Sequence, residues 1–381
     1  MALKNNFAKK AMAVHKKLRG KIMIQPKAKM TTKDDLSVYY TPGVGAVSSY
    51  LAEHKDKMRE YTMKGNTVAV ISDGSAVLGL GNIGPEGALP VMEGKAMLFK
   101  ALADIDAFPI VLSTQNTEEI IATIKNIAPV FGGINLEDIA APQCFEIERR
   151  LKALLDIPVF HDDQHGTAMV VLAGVINAFK AVGKNLKKST VVIAGAGAAG
   201  NAIANLLLQF GVGNLLLVDS RGIINEARKD INDFKRRLAK VTNKQKLCGG
   251  VTEALVGADA FIGVSRGNTV TAENVKSMAP RAIVFALANP IPEIMPDAAK
   301  KAGAAVVATG RSDFANQINN SLGFPGIFRG ALDNGVKDIT DTMLIRAAKK
   351  LAALVPKPTA DRIIPPPFDK GVVKAVASAI K

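Results

Sequence analysis

Two acidic pairs, Glu137-Asp138 and Asp162-Asp163, precede a strand-like run that enters the loop Gly195-Ala196-Gly197-Ala198-Ala199-Gly200. Carboxylates of this kind can gather around a hard divalent cation, and a glycine loop of this pattern can hold a dinucleotide pyrophosphate. Together they imply redox chemistry on an oxygen-rich substrate chelated to a metal. Taken alone, Glu137-Asp138 is better explained as an acidic pair that caps a helix or solvates a loop. Asp162-Asp163, however, directly follows the apolar run Ile157-Pro158-Val159-Phe160, and the ends of such strands are where sheet proteins hold ligands.

The glycine loop has the context its chemistry needs. Thr190-Val191-Val192-Ile193-Ala194 reads as a buried parallel strand, and Asn201 to Leu208 as the helix whose N-terminus faces the phosphates. A further apolar run, Leu215 to Val218, ends at Asp219, the acid about 20 positions on that reads a ribose hydroxyl. Its charge would repel a 2′-phosphate and so favours NAD, although Ser220 and Arg221 follow at once and could pair with the phosphate of NADP. A second match to the same pattern, Gly79-Leu80-Gly81-Asn82-Ile83-Gly84, is followed by Pro85, and Pro90 falls where the helix should be; it reads as a tight turn near a site. His161 and His165 have the spacing of a helical zinc pair, yet Phe160 closes a strand just before them and no glutamate fills the catalytic place of H-E-x-x-H.

The elements that must position these residues alternate in kind. Val68 to Ile71, Pro109 to Leu112 and Ile157 to Phe160 read as strands, with helical patterns around Lys95 to Ala103, Thr117 to Ile127 and Pro142 to Leu155. Beyond Asp219 the pattern predicts a long charged helix and then strands at Ala260 to Val264, Ala282 to Leu287 and Ala305 to Ala308. This is an α/β chain: an N-terminal α/β substrate and metal domain over 1–160, then a doubly wound Rossmann-type nucleotide-binding domain with C-terminal helices over 161–381. Ile363-Ile364-Pro365-Pro366-Pro367 cannot continue a helix, so the C-terminal helices should end there and the tail fold back.

Composition sets the outer bounds. A chain of 381 residues can bury full cores, and its apolar stretches are interrupted well before the roughly 18 residues of a membrane span. The net charge of +15 raises the question of nucleic acid, but the lysines are dispersed and no nucleic-acid module is recognisable. Phe7, Ala11, Val14 and Leu18 share one helical face, which reads as an ordinary first helix in a cytoplasmic protein, not as a transit peptide. Cys144 and Cys248 have neither disulfide nor metal-site spacing and are expected in the core.

Several ordered segments carry a resemblance over nearly the whole length: Tyr39 to Val44, Asp73-Gly74-Ser75 through Gly84, Glu93-Gly94-Lys95, Asn135 to Asp138, His161 to Thr167, Ala288-Asn289-Pro290, and Gly310 to Asp313 through Gln317 to Asn320. The chain resembles the malic enzymes of the short bacterial type. The resemblance implies oxidative decarboxylation of L-malate to pyruvate and CO2 with NAD or NADP, Mn²⁺ or Mg²⁺, and a homodimer. By the same resemblance Glu137, Asp138 and Asp163 match metal ligands, Lys95 a general base helped by Asp162, and Tyr40 a general acid. Asn289, Asn319 and Asn320 match positions near substrate and nicotinamide, and the two histidines are not ligands. A lysine base requires its pKa to be pulled down, as a bound cation and an oxidised cofactor would do. Longer members carry an arginine just after Asp-Gly-Ser that grips a malate carboxylate; here Ala76 stands there, so another group must hold it. The acyltransferase-like domain of some bacterial relatives is not expected. Other readings of the same residues are a metal-dependent oxaloacetate decarboxylase, a malolactic enzyme that keeps its NAD bound, and a basic binding protein with a vestigial site.

Overall fold

The computed structural model describes residues 2–77 and 79–381. Among them, ten strands form two sheets. The first holds β1 (Thr67–Ser72), β2 (Asp106–Val111), β3 (Gly133–Leu136) and β4 (Val159–His161), all parallel, in the order β2-β1-β3-β4. The second holds β5 (Thr190–Ala194), β6 (Asn214–Asp219), β7 (Gly222–Ile223), β8 (Ala260–Gly263), β9 (Ala282–Ala286) and β10 (Ala304–Thr309), in the order β10-β9-β8-β5-β6-β7. Only β7, the short return after β6, runs antiparallel.

Apolar runs such as Val68 to Ile71 and Val191 to Ile193 are fully buried because helices cover both faces of a parallel sheet. In each sheet the strand order reverses once near the middle, between β1 and β3 and between β5 and β8. Chains leave such a reversal in opposite directions, opening a crevice at the carboxyl ends of the strands. Asp73 and Glu137 follow β1 and β3 at the first crevice, and the Gly195 loop follows β5 at the second.

The C-terminal helices join the two sheets. Helix Phe324–Asn334 lays Phe324 and Phe328 against Phe99 of helix Gly84–Ala103, with ring centroids 4.7 and 5.4 Å apart, and Phe328 also meets Phe160 of β4 at 5.9 Å. Asn177, on helix Thr167–Ala181 beside the second sheet, donates to the carbonyls of Ala352 and Ile363 and ties down the tail. The tail folds back as expected, although past the prolines it forms one more helix, Gly371–Ala377, whose end is held by Asn334 donating to the Ile380 carbonyl.

Several expectations need correction. Helix Gly84–Ala103 forms despite its prolines: Pro85 sits in the first turn, where its missing N–H has no partner to lose, and Pro90 is carried within the helix. Gly133–Leu136 is a strand that the pattern did not suggest, because four residues beginning at a glycine carry little periodicity. The charged helix after Asp219 shrinks to Asp233–Ala239, since the Asn225 side chain accepts the Ala227 N–H in a local turn and Asn232 caps the helix only at Lys235. Cys144 is buried, but Cys248 is exposed. Helices Ala2–Leu18, Lys33–Tyr39 and Val44–Glu53 form an arm whose apolar side chains, Phe7, Met12 and Leu18 among them, remain exposed. Lys21 anchors the arm, its ammonium donating to the Pro90 carbonyl at 2.6 Å and its backbone N–H to Glu93 at 3.2 Å.

Candidate active site

Strand β3 delivers Glu137 and Asp138 to the crevice, the latter with φ +54°, a left-handed geometry that aspartate tolerates better than most residues. Strand β4 ends at His161, and residues Asp162–Gly166 then form a single π-helical turn before helix Thr167–Ala181, the kind of turn that recurs at functional sites. One carboxylate oxygen from each of Glu137, Asp138 and Asp163 lies within 4.8 Å of the others. The backbone N–H of Asp138 donates to Asp163 Oδ2 at 2.8 Å, and Asn135 Nδ2 donates to Glu137 Oε2 at 2.9 Å. Gly166 gives Asp162 its room, because a Cβ there would lie 1.8 Å from Asp162 Oδ1.

Lys95 enters this acidic group from helix Gly84–Ala103. Its Nζ is 2.6 Å from Asp162 Oδ2 and 2.7 Å from Glu137 Oε1, and 4.3 Å from the centroid of the Phe324 ring. Burial opposes the Lys95 charge, but Asp162, Glu137 and Asp163 outweigh it and hold the ammonium above its ordinary pKa. Burial in turn pushes Glu137 and Asp162 up to about 7, against the pull of Lys95. A single ammonium thus stands among Glu137, Asp138, Asp162 and Asp163, all buried or nearly so, and Asp162 Oδ1 has no hydrogen-bond partner. This all-oxygen donor set fits a hard divalent cation, which would supply the missing positive charge and weaken the hold of the acids on Lys95.

Sequence reasoning missed Glu148. Helix Gln143–Leu154 buries Cys144, Ile147, Glu148 and Leu151, so Glu148 sits on an apolar stripe, and a carboxylate there is a legible signal of a buried polar role. It accepts from the His161 N–H at 3.1 Å and contacts His165 Nε2 at 2.9 Å, gripping the π-turn at both ends. Burial would raise the Glu148 pKa, but His165, Lys152 and His161 bring it down to about 2. Burial pushes His161 down to about 4, so its ring is neutral at pH 7. Because the turn is π-helical and His165 faces Glu148, the two histidines do not form a helical metal pair.

Ala76 lies beside the cluster, its N–H donating to the Asp138 carbonyl at 2.9 Å, so neither a side chain nor that amide is available to a malate-like carboxylate. Asn320 is brought to the π-turn, its Cβ 3.6 Å from where a Gly166 Cβ would stand, while the Asn319 side chain accepts the Ser321 N–H and caps a short turn. The Asn289 carbonyl packs against Gly79, where a Cβ would meet it at 2.5 Å. Tyr40 is not brought to the cluster: it ends helix Lys33–Tyr39 on the arm with 64% of its surface exposed.

A cavity of about 840 Å³ is lined by Ala141 and Pro142, which follow Asp138 closely in the chain. Gly195 and Gly197 line it, and helix Ala198–Phe210 starts at its wall, so Ala198, Ala199 and Gly200 form the first helical turn beside the space a pyrophosphate would fill. A Cβ on Gly200 would fall 1.7 Å from the Gly195 carbonyl oxygen, so only glycine closes this turn. Asp219 lines the far end.

Comparison with known proteins agrees with this arrangement. Residues 164–380 match the family described as malic enzyme, NAD binding domain, and residues 19–120 and 113–152 match malic enzyme, N-terminal domain. The chain is 53% identical over 378 residues to the bifunctional malic/malolactic enzyme of Bacillus subtilis, covering 98% of this chain and 92% of that one. It is 52% identical to the NAD-dependent malic enzyme of Geobacillus stearothermophilus, covering 98% and 78%. The crystal structure of the NAD-dependent malic enzyme of Thermotoga maritima superposes with a TM-score of 0.94 at 51% identity, covering 97% of this chain and 98% of that one. The two family models together cover most of the chain and these relatives match nearly all of it, so the chain belongs to the malic enzyme family.

Proposed function

We propose that the protein oxidises and decarboxylates L-malate to pyruvate and CO2 with NAD or NADP and Mn²⁺ or Mg²⁺. The observation that carries this reading is the buried contact of Lys95 with both Asp162 and Glu137, in a chain whose glycine loop lines a dinucleotide-sized cavity. Glu137, Asp138 and Asp163 would hold the metal, and the Gly195 to Gly200 loop would hold the cofactor pyrophosphate. When bound, the metal supplies Lewis acidity at the substrate oxygens and the nicotinamide accepts a hydride. Lys95, oriented by Asp162, takes the proton of the C2 hydroxyl, and Tyr40, carried to the site on the arm of a second chain, returns a proton to C3 after CO2 has left. Asn289, Asn319 and Asn320 bind substrate and the nicotinamide end.

The protein acts as a homodimer, because the arm that carries Tyr40 exposes apolar side chains that a second chain would cover. Two free cysteines suit the reducing cytoplasm. The test is malate with Mn²⁺ and each cofactor, following the absorbance of reduced nicotinamide and identifying the product. Pyruvate with reduced cofactor supports the proposal. Lactate without net reduction would support the second reading, malolactic activity, which the name of the Bacillus relative favours. Turnover of oxaloacetate alone would make the protein a decarboxylase.

A further inference from the structure

Asp162 and Asp163 are neighbours in the chain, yet they serve different partners. Asp162 Oδ2 meets Lys95 Nζ at 2.6 Å, whereas Asp163 Oδ2 accepts the Asp138 N–H at 2.8 Å and Asp163 joins the carboxylates of Glu137 and Asp138. That division depends on the π-turn. The Thr167 N–H reaches back five residues to the Asp162 carbonyl, so the turn holds one residue more than an α-helical turn would. Without the extra residue, the chain entering helix Thr167–Ala181 would rotate by roughly 100° about the helix axis and carry both acids away from their partners.

Turns of this kind are rare, so something outside this one must favour it. Glu148 is placed to do so. From helix Gln143–Leu154 its Oε1 accepts the His161 N–H just before the turn, while its Oε2 lies 2.9 Å from His165 Nε2 and 3.5 Å from Gln164 Nε2 near the turn's end. Apart from Lys152 at 3.6 Å, Glu148 has no polar partner elsewhere among the described residues. An ionised carboxylate only accepts, so His165 Nε2 carries the proton of their bond. The Glu148 side chain has lost most of its hydration, and these contacts offset that cost only while the turn keeps its present shape.

Resting on the metal and Lys95 reading of the acidic cluster, we propose that Glu148 is a positioning residue for the reaction: it holds the π-turn through His161 and His165, and so aims Asp162 at Lys95 and Asp163 at the metal. It acts at one remove, since its hydrogen bonds go to none of Lys95, Glu137, Asp138 or Asp163. The hydrogen-bonding bracket, not the negative charge as such, is what the turn requires. A glutamine in its place can still accept the His161 N–H with its amide oxygen and donate to the other tautomer of His165 with its amide nitrogen.

The test measures Mn²⁺ affinity by paramagnetic titration, without cofactor or malate, beside malate kinetics, on the full-length wild type, Glu148→Met, Glu148→Gln and His165→Leu. Partners that orient metal ligands typically contribute about 10–100-fold, so Glu148→Met should weaken Mn²⁺ binding and lower kcat by about that factor. Glu148→Gln should keep most of both. His165→Leu, which breaks the bracket at its partly exposed end, should lose both in the same direction, and it decides the matter alone if Glu148→Met does not fold. A glutamate that only stabilised the fold would lower Tm and leave Mn²⁺ affinity and kcat unchanged, and that result overturns the proposal. A loss in Glu148→Gln as deep as in Glu148→Met also overturns it, by making charge the requirement. Wild-type binding of Mn²⁺ without malate turnover would sink the proposed reaction alone, because the Mn²⁺ comparison among variants still stands. A wild type that binds no Mn²⁺ would sink the metal reading and the positioning role together.

Discussion

Lys95 is one ammonium among four acids, and that imbalance decides what its removal does. General acid–base groups contribute typically 10²–10⁴-fold, so Lys95→Ala should lower malate turnover by about that factor. Mn²⁺ affinity, read by titration of the paramagnetic signal, should be unchanged or tighter, because a competing positive charge has gone. Weakened metal binding would mark Lys95 as a structural support instead. Gly166→Ala probes the neighbouring acid more gently. The new methyl meets only the far end of the Asp162 side chain, so the fold should survive while the carboxylate swings away from Lys95. We expect kcat to fall at least tenfold with little change in Tm; full activity would show that the Asp162 contact is dispensable.

At the level of the strand and loop, the turn at Gly200 has no comparable slack. Its forbidden Cβ meets backbone, the Gly195 carbonyl, so Gly200→Ala should abolish dinucleotide binding in calorimetry, and retained binding would exclude this loop as the phosphate cradle. Much of this level could be read from the chain. Thr190 to Ala194 and Leu215 to Val218 are apolar runs long enough to announce buried strands, and each ends on the residue that faces the cavity. Asp163 was legible as a donor because its acidic pair directly follows an apolar strand, whereas Glu137 and Asp138, whose strand the pattern did not suggest, were singled out by that pairing and by the family resemblance. What could not be read was partnership across distance. Nothing local in Asp219 reveals that Arg228 and Lys235 fill its lone pairs, nothing in Glu148 reveals the turn it clamps, and helix Gly84–Ala103 carries Pro90 in its interior while burying Met92, Ala96 and Phe99.

For the whole molecule, the buried acids link folding to protons and metal. Glu137 and Asp162, raised by burial to about 7, keep protons in the folded state that ordinary carboxylates in the unfolded chain lose above about pH 5. Chelated protein should therefore gain stability as pH falls from about 8 toward 6. His161 acts in the other direction: held down to about 4, it stays neutral while the unfolded ring takes up a proton below about 6.5, so its contribution is lost between those values. Thermal melts with chelator should show Tm rising as pH falls from 8 to 6 and the rise slowing below about 6.5, where His161 opposes it, and Mn²⁺ should raise Tm more at pH 8 than at pH 5.5, because ligating carboxylates must be ionised. A chelated Tm that climbs steadily from pH 6 to 8 would contradict the assignment. The exposed arm makes a second prediction at this scale: Tyr40→Phe should lose malate turnover and enolpyruvate protonation while sedimentation shows the wild-type oligomer, and near-normal turnover would remove Tyr40 from the reaction.

The contact of Phe324 and Phe328 with Phe99 and Phe160 also fixes an order of events during synthesis. The first sheet leaves the ribosome early, but the rings that seal one of its faces lie in helix Phe324–Asn334, more than 160 residues beyond β4. At about 5–20 residues per second, the nascent sheet waits roughly 8–35 s with Phe99 and Phe160 uncovered. During that interval it is a client for chaperones, and a ribosome stalled before residue 324 would release a chain whose first half is unfinished, however complete its sequence.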